Sequence, residues 1–241
     1  MSAAPAGLAD QLDWMYREEY RHRFERFVKG KLAAFYEGLE PVYLEWSGQP
    51  DCLVYARAHF VRFWAMINLV LKGVPIWSPA RIAEVGSFLP YTSFYWVSDI
   101  DLYDIVPLLY PTAKPYDVGG VRLTPFNVAK DEFPADRQYD LVVLSEVMEH
   151  LPTNLFDLER KIVGVLAPGG YLVATYPMHG HNAKDYDQLV GDPDKSYAEH
   201  LREFTEDTVP LFFRQLEKIT QGDVVYPAYG HIRMVLYKRP A

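Results

Sequence analysis

The chain has 241 residues, 49% of them hydrophobic, and carries a formal net charge of −8 from 32 acidic and 24 basic residues. This hydrophobic share supplies a sizeable core and excludes an intrinsically disordered chain. The acidic balance argues against a nucleic-acid partner held mainly through its phosphates. The single cysteine, Cys52, excludes an intrachain disulfide and a cysteine-based metal cluster. This usage is typical of the reducing cytoplasm, where we expect the protein to reside.

Residues 1–78 are predicted to form a helical cap. Apolar residues recur at spacings of three and four over residues 12–39, and Pro41 is a natural stop. A second helix is predicted over about Val54–Leu71. Its apolar run, Phe63–Leu71, is far too short to span a bilayer, so we expect no membrane segment.

After residue 78 the pattern changes to short apolar runs bounded by turn residues, which predicts strands. The turn signal Gly119-Gly120 introduces one run, and an amphipathic helix capped by Thr153 or Asn154 lies between the last two. The predicted strands have the sequences RIAEV, VSDIDLY, VRLTPFNV, YDLVVLS and YLVATY. Strands joined by short loops and helices predict an α/β fold for residues 79–241, with a doubly wound, mostly parallel sheet covered on both faces.

The C-terminal segment is predicted to end the sheet differently. The sequence FTEDTVPLFFRQLEKI is predicted to be a helix, and GDVVYPAYGHIRMVLYKR two strands around a turn of proline and glycine. These two strands are expected to form an antiparallel pair at the edge of the parallel sheet.

Ligands of open α/β sheets bind beyond the carboxyl ends of the strands, near the point where the strand order reverses. The residues that follow the predicted strands are therefore the candidate site. They are Glu84, Gly86 and Ser87; Asn127 and Val128; Ser145 and Glu146; and residues 176–181.

The sequence YDLVVLSEVMEHLP, followed by LAPGGYLVATYP, resembles the second half of class I S-adenosylmethionine-dependent methyltransferases. AEVGS lies where that family has its glycine motif, and HLREFTEDTV is similar to a segment found before the family's last strands. The resemblance covers roughly residues 80–240 and implies a Rossmann-like methyltransferase fold with S-adenosylmethionine as cofactor.

The resemblance also implies roles for single residues. Gly86 and the following Ser87 would let the main chain approach the methionine part of the cofactor. Glu84 would lie near its amino group. Asp99 or Asp101 would bind the ribose hydroxyls, and the sequence does not choose between them. Asn127, with Val128 beside it, would meet the adenine amine, and Ser145 and Glu146 would line the floor beneath the sulfonium.

The glycine motif departs from the family pattern, because Phe88 and Pro90 replace its second and third glycines. Only about ten residues separate Gly86 from the second strand, close to the minimum for a parallel crossover, so a short or irregular connection is expected. Either Phe88 and Tyr91 fill the space and the cofactor still binds, or the pocket is closed and the protein has lost catalysis.

The leading hypothesis is O-methylation of a small molecule such as a sugar or natural product. A hydroxyl acceptor requires a base, for which His181, His179 and His150 are the candidates. The N-terminal helices would close over this small-molecule acceptor, and a homodimer is possible.

Three alternatives remain. The first is a divalent metal ion on Glu146, Glu149, His150 and His200, which match in order the metal ligands of small-RNA ribose 2′-O-methyltransferases. The second is a catalytically inactive binding or scaffold protein, which Phe88 and Pro90 favour. A nicotinamide-dependent oxidoreductase is the weakest, because its glycine fingerprint is absent.

Overall fold

A computed structural model of the chain describes residues 8–33, 52–74, 79–96, 98–109, 114–152, 154–178, 202, 204–226 and 230–241. Its helices are α1 (Leu8–Lys31), α2 (Cys52–Gly73), α3 (Val106–Leu109) and α4 (Leu155–Val165). Its strands are β1 (Arg81–Val85), β2 (Asp99–Asp104), β3 (Tyr116–Val118), β4 (Val121–Pro125), β5 (Tyr139–Leu144), β6 (Leu166–Pro177), β7 (Glu217–Tyr226) and β8 (Gly230–Lys238). No helix in the described part of the chain has the length and apolar character needed to cross a membrane.

The strands form one mixed sheet in the order β3-β4-β2-β1-β5-β6-β8-β7. The central strands β4, β2, β1, β5 and β6 are parallel, while β3 pairs antiparallel with β4 at one edge. At the other edge β8 pairs antiparallel with β6, and β7 with β8. The strand order reverses between β1 and β5, so the carboxyl ends of these two strands and of β2 frame the predicted ligand edge. The predicted doubly wound sheet with an antiparallel C-terminal pair is confirmed.

The N-terminal helices cover one face of this sheet. Alternate strand residues such as Ile82 and Leu102 share a hydrophobic cluster with residues of α1 and α2, while Ala83 and Val85 face the cluster beneath α4. Helix α2 contacts β7 and β8, and α1 packs against α2. The division of the chain at residues 78 and 79 stays a prediction, and the end of the first predicted helix, residues 34–39, lies outside the described residues.

The structure confirms the predicted connection between β1 and β2 and corrects the predicted segment before β7. Between β1 and β2, the described residues contain only a three-residue 3-10 turn, Ser93–Tyr95, which confirms the expected irregular crossover. The helix predicted over residues 204–219 is wrong. That segment has a single 3-10 turn at Val209–Leu211 and then enters β7 at Glu217. Of the two proposed caps for α4, Asn154 accepts a hydrogen bond from the Phe156 N–H at 3.0 Å.

Candidate functional site

Gly86 ends β1 in a backbone conformation that suits glycine. Its φ is +75°, in the left-handed region, and its N–H donates to the Tyr103 carbonyl of β2 at 2.8 Å. A Cβ at this position would lie 2.3 Å from Cγ2 of Val147, in the segment that follows β5. Gly86 therefore allows the ends of β1 and β5 to approach closely, which any larger residue would prevent.

Glu84 anchors the loop that follows Gly86. The side chain is 2% exposed. Its carboxylate accepts hydrogen bonds from the Ser93 N–H at 2.9 Å, the Ser93 hydroxyl at 2.5 Å and the Thr92 N–H at 3.2 Å. Burial raises the pKa of Glu84 from 4.5 to about 7, although these hydrogen bonds act in the opposite direction. Glu84 thus satisfies donors at the start of the Ser93–Tyr95 turn.

This raised pKa predicts a pH-dependent contribution to stability. A carboxyl group whose pKa is higher in the folded state favours folding while it is protonated. Its contribution is lost as the pH rises from 4.5 to about 7. The loss amounts to roughly 3 kcal/mol. We expect Glu84→Gln to reduce this fall in the free energy of unfolding, as urea unfolding at pH values between 4.5 and about 7 would measure.

The control for this measurement is Glu132→Gln, because the Glu132 side chain is exposed. It should leave the pH dependence of the unfolding free energy unchanged. If the free energy of unfolding changes with pH equally in the wild type and in Glu84→Gln, Glu84 has the same pKa in the folded protein as in the unfolded chain.

Phe88, which replaces one of the family's glycines, and the nearby Tyr91 direct their side chains to the core. Phe88 and Tyr91 are 2% and 4% exposed and belong to the hydrophobic cluster beneath α1 and α2. The Tyr91 ring stacks on Phe63 of α2 with centroids 4.9 Å apart and an interplanar angle of 4°. The Tyr20 hydroxyl of α1 donates to the Tyr91 carbonyl at 2.8 Å. The two rings are thus held by the N-terminal helices, and Ser87 donates its hydroxyl to the Leu89 carbonyl.

The acid at the end of the second strand is neither of the two predicted ones. Asp99 is the first residue of β2 and is level with Arg81, the first residue of β1. It therefore lies at the amino ends of the parallel strands, away from the predicted ligand site. Asp101 lies inside the strand and accepts hydrogen bonds from Arg137 at 2.6 Å and the Tyr139 hydroxyl at 2.9 Å. The prediction that one of them closes β2 is wrong.

Asp104 is the residue that closes β2. It follows Tyr103, which is level with Val85, so Asp104 lies beside Gly86 at the carboxyl edge. It is 5% exposed, and its carbonyl accepts from the Phe126 N–H at 2.8 Å after β4. The sequence-based prediction ended this strand one residue early. No apolar signal marked this end of the strand, because the alternation of Ile100 and Leu102 continues onto a polar residue, Asp104.

Asn127 and Val128 follow β4 and form a tight turn. The Asn127 side-chain oxygen accepts from the Ala129 N–H at 3.0 Å, and the Asn127 N–H donates to Asp131 at 2.7 Å. The Val128 carbonyl accepts from the Lys161 ammonium of α4 at 3.2 Å. Both residues therefore lie at the predicted edge, in a turn fixed by its own hydrogen bonds.

The segment after β5 combines polar side chains with a strained backbone. Glu146 has a φ of +53°, unusual for a residue other than glycine. It is held by Thr175 of β6, whose hydroxyl accepts from the Glu146 N–H at 2.8 Å and donates to Oε1 at 2.6 Å. Ser145 Oγ and both carboxyl oxygens of Glu149 are buried and have no hydrogen-bond partner among the described residues.

Helix α2 places one basic side chain, Arg62, beside this segment, a contact that the sequence did not reveal. Arg62 Nη1 lies 3.8 Å from Glu146 Oε2, and the two side chains are 8% and 11% exposed. One turn earlier, the His59 ring lies 4.4 Å from the Tyr55 ring. Burial, and then the charge of Arg62, lower the pKa of His59 to about 3, so this imidazole is neutral. An arginine within a long apolar run, as Arg62 is in α2, is the signal that could have identified it.

The predicted catalytic histidines are only partly described. The His150 side chain is 23% exposed, with Nε2 3.7 Å from Glu149 Oε1. His179, His181 and His200 lie outside the described residues. Within the described ranges, no group of three or more His, Cys, Asp or Glu side chains is close enough to hold a metal ion.

No protein-family model matches the chain, and neither does any curated protein sequence. Solved structures do match. The N-methyltransferase NodS from Bradyrhizobium japonicum WM9, crystallised with S-adenosyl-L-homocysteine, has a TM-score of 0.54 and 14% identity, covering 76% of this chain and 87% of NodS. A 1,6-didemethyltoxoflavin-N1-methyltransferase from Burkholderia thailandensis, with its substrate and S-adenosylhomocysteine bound, has a TM-score of 0.53 and 14% identity, covering 100% of this chain and 94% of that one.

An S-adenosylmethionine-dependent methyltransferase from Methanosarcina mazei is similar as well, with a TM-score of 0.52 and 13% identity over 68% of this chain and 94% of its own. At these identities the likeness establishes the fold. The sheet order, the glycine turn after β1 and these structures agree with the resemblance that the sequence motifs carry. The chain has the fold of the class I S-adenosylmethionine-dependent methyltransferases.

Proposed function

We propose that the protein is an S-adenosylmethionine-dependent methyltransferase that acts on a small molecule. The observation that carries this proposal is the position of Gly86 and Asp104, side by side at the carboxyl ends of adjacent strands. A glycine turn and a buried carboxylate at this edge suit a nucleoside ligand with a charged amino-acid tail. The fold, shared with methyltransferases crystallised with S-adenosylhomocysteine, supports the same conclusion.

The described residues fit such a cofactor in three respects. The Gly86 turn has no Cβ, and its close approach to Val147 could not tolerate one. The Asp104 carboxylate would accept hydrogen bonds from both ribose hydroxyls, in the role predicted for Asp99 or Asp101. The buried Ser145 hydroxyl, which has no hydrogen-bond partner, offers a polar group after β5. Phe88 and Tyr91, whose rings belong to the α1 and α2 cluster, are compatible with a ligand over the strand ends.

When bound, S-adenosylmethionine supplies an electrophilic methyl group on a sulfonium centre. The task of the chain is then to align the acceptor with that group and to exclude water. The segment after β5 and the Arg62 side chain of α2, which lies beside Glu146, would form the acceptor side of the site. The sequence-based prediction of a hydroxyl acceptor such as a sugar requires a base, and His150 is the described candidate.

Isothermal titration calorimetry with S-adenosylhomocysteine tests the proposal. We expect saturable binding with one ligand per chain. A panel of small-molecule acceptors with S-adenosylmethionine labelled in its methyl group would then measure transfer. Absence of binding at millimolar ligand would contradict the proposal.

A second candidate is a binding or scaffold protein that has lost catalysis, and the replacement of two glycines by Phe88 and Pro90 favours it. The same calorimetry distinguishes the two. A scaffold with a closed pocket binds neither S-adenosylmethionine nor S-adenosylhomocysteine.

A further inference from the structure

In the part of the chain that the structure describes, three buried oxygens after β5 lack hydrogen-bond partners, and they lie within five residues of one another in sequence. They are Ser145 Oγ and the two carboxyl oxygens of Glu149. The Glu149 side chain is fully buried. A buried carboxyl group without donors costs a protein several kcal/mol, so such groups are normally hydrogen-bonded. These oxygens therefore indicate a partner that carries N–H or O–H donors.

The basic groups around Glu149 do not supply those donors. Arg62 lies near Glu146 with its Nη1 3.8 Å from Oε2, and His150 Nε2 is 3.7 Å from Glu149 Oε1, outside hydrogen-bonding distance. His59 is neutral because burial and Arg62 lower its pKa to about 3. Burial and the neighbouring Glu146 raise the pKa of Glu149 well above its ordinary value. Among the described residues, no donor thus lies within hydrogen-bonding distance of the Glu149 carboxyl oxygens.

The number of donors distinguishes two kinds of methyl acceptor. A hydroxyl group offers one O–H donor, whereas an amino group offers two, or three when protonated. A protonated amine also brings a positive charge, which would favour the ionised form of Glu149. The Glu146 side chain is 11% exposed, so solvent reaches it, whereas Glu149 is fully buried.

We propose that the methyl acceptor is an amine, whose nitrogen is received by the carboxyl groups of Glu146 and Glu149 and by the Ser145 hydroxyl. This inference rests on the proposed methyltransferase function and departs from the hydroxyl acceptor predicted from the sequence. The acceptor's ammonium group passes one proton to the Glu146 carboxylate. The nitrogen lone pair then attacks the methyl carbon as the carbon–sulfur bond breaks and its electron pair returns to sulfur. The products are a methylated ammonium and the neutral thioether.

The test uses the full chain saturated with S-adenosylhomocysteine and matched pairs of probes. The pairs are benzylamine with benzyl alcohol, and glucosamine with glucose, each at millimolar concentration. In calorimetry, the amine of at least one pair should bind about tenfold or more tightly than its hydroxyl counterpart, because hydrogen bonds between charged groups are stronger than neutral ones. Equal binding within both pairs, preference for the hydroxyl, or absence of binding by both amines overturns the inference.

The variant Glu149→Gln separates a ligand role from a structural one. It should reduce the amine's advantage to less than about threefold, as expected when charge-assisted hydrogen bonds become neutral ones. At the same time, the melting temperature of the ligand-free variant at neutral pH should rise by roughly 2–4 °C, because glutamine avoids the cost of burying a group that is ionised in the unfolded chain. A lower melting temperature would mean that Glu149 has a stabilising partner within the protein and would overturn the inference.

Two controls complete the design. Glu132→Gln, which changes an exposed carboxylate outside the site, should alter neither the probe binding nor the melting temperature. Addition of Mg²⁺ or Mn²⁺ should leave the melting temperature unchanged. If the metal ion raises the melting temperature of the wild type and not that of Glu149→Gln, a metal ion is the missing partner, and the inference is overturned. Failure of S-adenosylhomocysteine to bind at all contradicts the methyltransferase proposal itself and is recorded before any amine is added.

Discussion

Replacing Asp104 with asparagine is expected to weaken S-adenosylhomocysteine binding by roughly 100-fold, because two charge-assisted hydrogen bonds to the ribose become neutral ones. Asparagine has nearly the same shape as aspartate. The melting temperature of the ligand-free variant should therefore stay close to that of the wild type, although the affinity falls. Calorimetry with the purified variant measures the effect directly.

Asp99→Asn is the matched control, since Asp99 is exposed at the opposite end of the same strand. It should bind the ligand as the wild type does. If Asp99→Asn loses binding and Asp104→Asn keeps it, the ribose does not lie at the carboxyl edge of the sheet. The proposed cofactor site would then be wrong.

Gly86→Ala should destabilise the fold and abolish ligand binding together. The left-handed conformation, with φ at +75°, costs a residue with a Cβ about 1–2 kcal/mol. The new Cβ would also meet Val147 Cγ2 at 2.3 Å, and relieving such a contact costs a further ~1–3 kcal/mol. For a chain of this size the melting temperature should fall by roughly 5–15 °C, as thermal unfolding would show.

The chain offers a control for this substitution and a partial rescue. Gly164 lies in α4, where a Cβ would point into open space among the described residues, so Gly164→Ala should stabilise the helix by about 0.5–1 kcal/mol. Adding Val147→Ala to Gly86→Ala should remove the steric part of the loss and leave the backbone part. If Gly86→Ala, like Gly164→Ala, does not lower the melting temperature, the turn after β1 does not require a glycine.

The sheet could be predicted from sequence because its signals are local. Apolar runs bounded by turn residues identify β1, β4, β5 and β6, and their alternation with helices and short loops predicts the mostly parallel sheet. The acid of β2 could not be chosen, because the choice depends on register. Only the pairing of Arg81 with Asp99 shows which end of β2 lies at the ligand edge. The short antiparallel strand β3 was missed, because its three residues are too few to show an alternating pattern.

The segment over residues 204–219 illustrates the opposite case, in which helical spacing was misleading. Pro210 lies inside the apolar pattern, and Phe213 has a φ of +54°, so a continuous helix cannot pass through it. From Glu217 onward, hydrogen bonds to β8 outweigh the helical preference of the local sequence. Such tertiary pairing does not appear in the periodicity of a single segment.

The acceptor side of the site could not be predicted because α2 and the segment after β5 are far apart in sequence. Arg62 and Glu146 meet only because α2 packs over the sheet face with its N-terminal half near the strand ends. The same packing explains how Phe88 replaces a glycine and how Tyr91 is accommodated. Their rings join an aromatic cluster that α1 and α2 provide, so the loop after β1 depends on helices that precede it in the chain.

The most direct test of the proposed cofactor site is a crystal structure of the protein with S-adenosylhomocysteine. We expect the ribose hydroxyls to donate to Asp104, the amino-acid tail to lie over the Gly86 turn, and the sulfur to point toward Ser145 and Glu146. A structure in which Phe88 or Tyr91 occupies that volume, or in which the ligand binds elsewhere, would contradict the proposed function.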